Sequence, residues 1–370
     1  LQAFSISQYR TYSGQYVNLS GRMQFAAQGF SSETFFYGFY PGNYGGYGGM
    51  GFLSRDDALA TRRTNGGNFL GIYPFDRFRR IELTAGVMNS KEAYRDSTLQ
   101  SQSDMYQLQE FGTTLFRDGT YIPLGIRYVQ ETTVMREFGP VAGNSVMFDY
   151  EFSPPAGALL SRQKIDVDLR YYLRLAQNGV IALRAKAFNS WGEYPDFTFF
   201  GGNSEMRGYD YLEFLGHKAF FANAELRFPI VEAMLTPIGV IGGIRGTFFF
   251  NFGAAGLIGQ PMSLWSREPR VVRPITNYFY NDDIDQVQEL YGDPVAINGF
   301  RLENARASYG LGLTTFMIGF PIHFDWSWLT LFNKEYEDAV FAFEAARKGF
   351  VRGSDAFRRV RFQIWIGMDF

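Results

Sequence analysis

The chain of 370 residues contains no cysteine, which removes a disulfide framework and any thiolate metal site. Only two histidines occur, His217 and His323. With no G-x-S-x-G elbow beside them, a Ser-His-Asp/Glu triad has few candidates, and no ligand spacing suggests a metal. No cofactor is expected, and an enzyme is the lowest-ranked class. Charged residues make up 19%, below the ~25% of ordinary soluble domains. A formal net charge of −2 offers no basic field to attract nucleic acid. Long hydrophobic runs are missing as well. A spanning helix takes ~20 mostly apolar residues in succession, whereas the longest charge-free stretches, 34–54 and 246–266, are broken by glycine and proline. The start at Leu1 shows no charged and apolar regions of a signal peptide, so the sequence reads as a processed or trimmed segment.

What the chain does hold is aromatic residues and glycine: 39 Phe, 23 Tyr, 5 Trp and 41 Gly. That aromatic load excludes disorder. The mean hydropathy is nonetheless only −0.16, so apolar residues must be interleaved with polar ones. The interleaving has period two, which sends alternate side chains to opposite faces of a strand. In 163–175, Ile165, Val167, Leu169, Tyr171, Leu173 and Leu175 share one face, and Lys164, Asp166, Asp168, Arg170 and Arg174 the other. Ala176-Gln177-Asn178-Gly179 supplies a hairpin turn through its Asn-Gly pair. The alternation recurs at 122–129, 220–228, 322–328 and 361–370.

Fifteen or sixteen such segments can be laid out, at about 3–12, 15–28, 33–40, 66–73, 79–93, 105–117, 121–134, 143–153, 163–175, 179–191, 217–229, 239–254, 305–318, 320–330 and 359–370. The strands are long, their polar faces carry many charges, and aromatics close their apolar faces. Those features favour a transmembrane antiparallel β-barrel, all-β and a single domain over 1–370, over a soluble sandwich. Bacterial barrels are normally even-stranded, so sixteen strands are expected. With the last strand ending at the periplasm, the short turns 176–179 and 319–321 are periplasmic. The long connections 41–60, 192–216, 255–304 and 331–358 are then extracellular, the asymmetry expected of the bacterial outer membrane. In 331–358, Asn333 is placed to cap a helix carrying Ala339, Val340 and Phe343, with Glu344 and Lys348 paired and Gly349 as its stop, although strand extension fits almost as well.

Several motifs have bland readings that win. Gly46, Gly48 and Gly51 spell G-x-G-x-x-G, but the surrounding Tyr-Gly-Gly run reads as a loop rather than a dinucleotide site. His323 falls on the polar face beside Asp325 and reads as a pore-lining residue rather than a general base. At the C-terminus Phe362, Ile364, Ile366, Met368 and Phe370 share one apolar face that ends on an aromatic, resembling an outer-membrane targeting signal.

The informative constellation lies between 198 and 254. Thr198-Phe199-Phe200-Gly201-Gly202-Asn203-Ser204-Glu205-Met206-Arg207-Gly208-Tyr209 precedes a strand ending Asn223-Ala224-Glu225-Leu226-Arg227-Phe228-Pro229, and a glycine-rich strand through Phe248-Phe249-Phe250-Asn251-Phe252-Gly253 follows. This resembles the BamA-like bacterial surface antigen family of outer-membrane assembly and translocation barrels, well over 160–254 and 305–370 and more weakly before. The run Tyr73-Pro74-Phe75-Asp76-Arg77-Phe78-Arg79-Arg80-Ile81-Glu82 looks like members that follow periplasmic propeller domains. The resemblance implies an extracellular loop folded into the lumen, with Arg207 of the motif Met206-Arg207-Gly208-Tyr209 against acidic residues of the next two strands. Glu225 is the first of these. The second position holds Asn251 where the family usually has Asp, and Met206 replaces the usual Val. Alternation independently puts Glu225 on the lumen face, and a guanidinium held by a carboxylate is an orientation-specific latch. The resemblance further implies insertion or export of proteins across the outer membrane, with outer-membrane lipid and periplasmic domains or partner subunits as partners. A non-catalytic anchor or scaffold barrel, or a passive pore, is the alternative, and the aromatic-rich segment 255–304 would suit a partner surface.

Overall fold

A computed structural model describes residues 2–5, 8–37, 59–94, 96–111, 114, 116, 118–136, 139–175, 178–236, 239–281, 286–317, 320–342, 354–367 and 370. One antiparallel ladder runs through the chain: β1 (Gln2–Ser5), β2 (Gln8–Asn18), β3 (Gln24–Tyr37), β4 (Leu59–Pro74), β5 (Arg79–Tyr94), β6 (Leu124–Glu131), β7 (Gly139–Ser153), β8 (Arg162–Arg174), β9 (Val180–Trp191), β10 (Lys218–Thr236), β11 (Gly239–Gly256), β12 (Ala305–Met317), β13 (Phe320–Thr330) and β14 (Arg361–Ile366). Two short strands, Gly119–Tyr121 and Val134–Arg136, flank β6 and pair with β5 and β7, so they extend the line of β6 at either end. Each strand pairs with its predecessor, as expected where short turns bring consecutive segments together.

The two ends of the sheet differ. The connections 19–23, 75–78, 137–138, 175–179, 237–238 and 318–319 are short, and those at 38–58, 95–118, 192–217, 257–304 and 331–360 are long. In the turn after β8, Asn178 takes a left-handed conformation (φ 61°), and the Leu175 amide donates to the Gly179 carbonyl at 2.7 Å. The β8–β9 register then pairs Leu173 with Ile181 and Leu169 with Ala185, the faces that alternation assigns.

The two faces of the ladder invert the ordinary rule. Leu169, Tyr171, Leu183, Leu226, Phe248, Leu311, Phe362, Ile364 and Ile366 are exposed, while Asp168, Asn223, Glu225, Arg227, Asn251, Ser308, His323 and Asp325 are buried. Exposed apolar bands together with buried polar rows are what a wall with apolar surroundings requires.

One expected strand is a helix. The span 105–117 overlaps α1 (Ser97–Phe111), which Asp96 caps by accepting from the amides of Thr98 (2.6 Å) and Leu99 (3.3 Å). Its Ser- and Gln-rich sequence has neither strand nor helix periodicity, and the cap settles the choice. In the last long connection Asn333 caps α2 (Lys334–Val340), its side chain accepting from the Tyr336 amide at 2.9 Å. The helix alternative therefore holds there, and Ala339 is buried on it. A further short helix, α3 (Ser354–Arg358), returns the chain to β14. Gly46, Gly48, Gly51, Phe343, Glu344, Lys348, Gly349 and Met368, singled out above, lie outside the described residues.

Candidate functional site: a loop latched to the concave face

The connection 192–217 between β9 and β10 does not stay at the rim. Thr198–Phe200 and Phe214–Gly216 pair as a small hairpin, with Phe200 stacked on Phe214 at 4.8 Å and packed on Phe221 of β10 at 5.2 Å. Between them a tight turn forms, the amides of Glu205 and Met206 both donating to the Gly202 carbonyl. This turn delivers Arg207, which is almost fully buried.

Arg207 Nη2 meets Glu225 Oε1 of β10 at 2.8 Å, and its Nε meets Asp325 Oδ2 of β13 at 3.2 Å. Its Cζ lies 4.5 Å from the centre of the Phe249 ring of β11. β10 and β13 are three positions apart in the ladder, about 14 Å along a flat sheet. One guanidinium can touch both only if the sheet curls around it. Glu225 is shared, since its Oε2 also accepts from Arg227 Nε at 2.8 Å. Asp325 Oδ2 accepts in addition from the Trp365 indole at 2.7 Å. These are charge-assisted contacts in a site sheltered from water, where they are strongest.

The residues beside Arg207 are held as closely. Gly208 has φ +89°, and a Cβ there would lie 2.9 Å from both Leu329 Cδ2 and Ser327 Cβ. Glycine alone fits that conformation and that space. Its amide donates to Gln363 Oε1 at 3.0 Å, and its carbonyl accepts from Arg361 Nη1 at 2.8 Å, both on β14. Tyr209 is fully buried and its hydroxyl donates to the Ala307 carbonyl of β12 at 3.0 Å. Met206 is also fully buried.

Asn251 takes a different place from the one its sequence position suggests. Its Oδ1 accepts from Asn223 Nδ2 at 2.8 Å and its Nδ2 donates to Ser308 Oγ at 3.0 Å, which spends it within the sheet. The second carboxylate beside Arg207 is Asp325. Alternation already put Asp325 on the polar face, but only the curvature of the sheet brings β13 within reach. His323 is built into the wall, stacked on Trp365 at 3.7 Å with its ring nitrogens on Thr314 Oγ1 (2.9 Å) and the Gly367 carbonyl (2.8 Å).

The near end of the loop is tied to earlier strands of the ladder. Asp196 meets Arg62 of β4 at 2.9 Å, with Arg162 and Lys164 of β8 at 3.7 and 3.8 Å. Burial alone would raise the Asp196 carboxyl, but these three cations hold it well below the usual carboxylate range. Burial pushes Glu213 up to about 7, helped by Asp210 and opposed by the Asp210 amide, Arg361 and Arg306. Burial pushes His217 down to about 4, and its neutral Nδ1 accepts from the Ile258 amide at 3.2 Å.

Phe362, Ile364 and Ile366 lie on the exposed face of β14, as alternation predicts, but Phe370 does not join them. The strand ends at Ile366, and Phe370 is buried against Val141, Tyr172, Val180 and Ala182 of β7, β8 and β9. Arg227 lies over its ring at 4.9 Å and Arg184 at 5.8 Å, and Arg227 Nη2 donates to its carbonyl at 3.4 Å. The alternating face is therefore corrected at its end: Phe370 lies inside and not among the exposed residues of β14.

A family model described as Omp85 superfamily domain matches residues 90–370. Among solved structures, BamA from Haemophilus ducreyi lacking POTRA domains 1-3 is similar at 13% identity and a TM-score of 0.57, covering 96% of this chain and 60% of that one. CdiB from Escherichia coli aligns at 13% identity with a TM-score of 0.45, over 88% of this chain and 50% of that one. The chain thus spans less than two thirds of either length. No curated protein matches the sequence.

Proposed function

The chain belongs to the Omp85 superfamily, and from that membership we propose that it forms a closed outer-membrane barrel, on a sixteen-strand plan, that inserts or exports proteins. In this reading it is a bacterial outer-membrane protein of the assembly and translocation class, as its family membership supports. The long connections face the cell exterior, the short turns the periplasm, and the concave face becomes the lumen. Partners in this reading are the surrounding lipid and periplasmic domains or subunits that deliver substrate. Phe362, Ile364, Ile366, Met368 and Phe370 act as the targeting signal during assembly.

One observation carries the proposal: Arg207 is held between Glu225 and Asp325, while Gly208 is bonded on both sides to β14. A loop fastened to the last strand from inside gives that strand a support besides its pairing with β13. Withdrawing the loop frees β14, and a seam beside it can open toward the membrane. The absence of native cysteine makes the test clean. Cysteine pairs that bridge β14 to the N-terminal edge should block outer-membrane assembly and growth in intact cells, and reductant should restore both. Unchanged assembly and growth with the bridge formed would refute the proposal. Ion conductance addresses the passive-pore alternative, because a lumen crossed by this loop should conduct poorly and erratically.

A further inference from the structure

Four aromatic rings climb in sequence from the apolar band of the sheet into the largest connection. Phe250 of β11 lies 6.4 Å from Phe332, Phe332 lies 6.1 Å from Phe300, and Phe300 lies 5.8 Å from Trp265. Their relative exposures are 39%, 49%, 38% and 53%. Phe250 belongs to the same exposed face as Phe248, and beside it Tyr309 of β12 stacks on Trp328 of β13 at 6.0 Å. The series is thus continuous with the lipid-facing band and leaves it at the long-loop end. At its far end Arg267, itself exposed, sits over two rings at once, with Cζ 5.8 Å from the Trp265 centre and 5.9 Å from that of Phe300.

The chain is arranged to hold these rings outward. Phe332 has φ 61°, a conformation that bulky residues rarely adopt, and its amide donates to Thr330 Oγ1 at 2.9 Å. Asn333, besides capping α2, donates through Nδ2 to the carbonyls of Asn298 at 2.8 Å and Phe300 at 3.4 Å. Those bonds fix the Phe300 segment beside Phe332. Rings locked in place yet exposed in a row, starting in an apolar band and ending under a guanidinium, match the profile of a bilayer boundary: hydrocarbon first, then the aromatic interface, then phosphate.

We propose that Phe250, Phe332, Phe300, Trp265 and Arg267 form a lipid-binding ridge that rests connection 257–304 on the outer leaflet, with Arg267 pairing to a lipid phosphate. A guanidinium matches a phosphate bidentately and is weakly hydrated, so it suits a headgroup better than an ammonium does. The assignment rests on the proposal that the long connections face outward, but not on any transport activity. The test uses no protein substrate, so a failure of the transport reading leaves its readout intact.

The full-length protein is reconstituted in phosphatidylcholine nanodiscs, with and without phosphatidylcholine brominated near its ester end. The difference in emission between wild type and Trp265→Phe isolates the Trp265 signal. Bromolipid should quench that signal and aqueous iodide should not. Diphosphorylated lipid A, titrated into the detergent-solubilised protein, should bind roughly fivefold more weakly to Arg267→Gln, with Arg267→Lys between the two. Inorganic phosphate at millimolar concentration should not compete. Heat-dependent gel mobility identifies the folded fraction of each variant. Trp265 quenched by iodide and not by bromolipid would place the ridge in water or against protein and overturn the proposal. Lipid A affinity unchanged in Arg267→Gln, or matched by free phosphate, would overturn the phosphate contact.

Discussion

Replacing Arg207 with alanine should detach the turn 201–210 from the wall while the sheet stays folded. Arg207 is buried between Glu225 and Asp325 at 2.8 and 3.2 Å. Removing one partner of a buried pair costs about 3–5 kcal/mol, because the remaining charge is stranded. Here Glu225 keeps Arg227 and Asp325 keeps the Trp365 indole, so the low end applies. About 3 kcal/mol is roughly 150-fold in the docking equilibrium of the loop. The assay is hydrogen exchange by mass spectrometry on peptides covering 201–212. The amides of Met206, Gly208 and Tyr209 donate to Gly202, Gln363 and Met206 respectively, and they should exchange about two orders of magnitude faster in the variant, by local opening. Glu225→Gln should loosen the loop more than Asp325→Asn, because Glu225 serves two arginines. Exchange within threefold of wild type in both Arg207→Ala and Glu225→Gln would refute the reasoning.

Gly208→Ala leaves every charge in place yet should open the same segment, at a cost of about 1–3 kcal/mol for φ +89° with a Cβ only 2.9 Å from Ser327 and Leu329; exchange on the same peptides reads it. The loop should also respond to pH in two directions. Glu213, raised to about 7, contributes stability that is complete below its unfolded value near 4.5 and lost as pH rises through 7. His217, lowered to about 4, contributes stability that is complete above 6.5 and lost as pH falls through 4. Exchange corrected for intrinsic rates should therefore slow on going from pH 8 to 6.5, and Glu213→Gln should flatten that limb. Phe370→Ala removes a ring buried against Tyr172, Val180 and two arginines, and should cost about 3 kcal/mol in denaturant unfolding of the purified protein. An unchanged midpoint would show that the ring packs on nothing.

Most strands could be read from the residues because the two faces of this sheet differ so sharply in chemistry. Ile165, Val167, Leu169, Tyr171, Leu173 and Leu175 hold one face, with Tyr172 the single aromatic on the other, and the β8–β9 register keeps those faces. Three features escaped for separate reasons. Helix α1 carries no apolar stripe, so periodicity had nothing to report, although Asp96 before a run free of Gly and Pro is a capping signal. Asp325 could be assigned a face but not a partner, because which strands converge on Arg207 depends on the curl of the whole sheet. Phe370 kept the parity of Phe362 but not its surroundings, since alternation ceases to carry meaning where the strand stops at Ile366. The motif from Met206 to Tyr209 was legible through its resemblance to a family, and the structure supplies the reason for its residue types: position 208 has no room for a Cβ, and Arg207 meets two carboxylates.

Glu225 deserves to be seen as a junction. Through Oε1 it holds Arg207 and thereby the loop; through Oε2 it holds Arg227, which covers Phe370 and donates to its carbonyl. The loop and the buried C-terminal ring are therefore held through one carboxylate. A change at either contact is felt at the other, and coupling of that kind is reciprocal. Whatever free energy the docked loop contributes to the seating of Phe370, the seated ring contributes to docking of the loop. Loosening of the loop and of the C-terminal ring then draws on one shared equilibrium rather than on two separate ones.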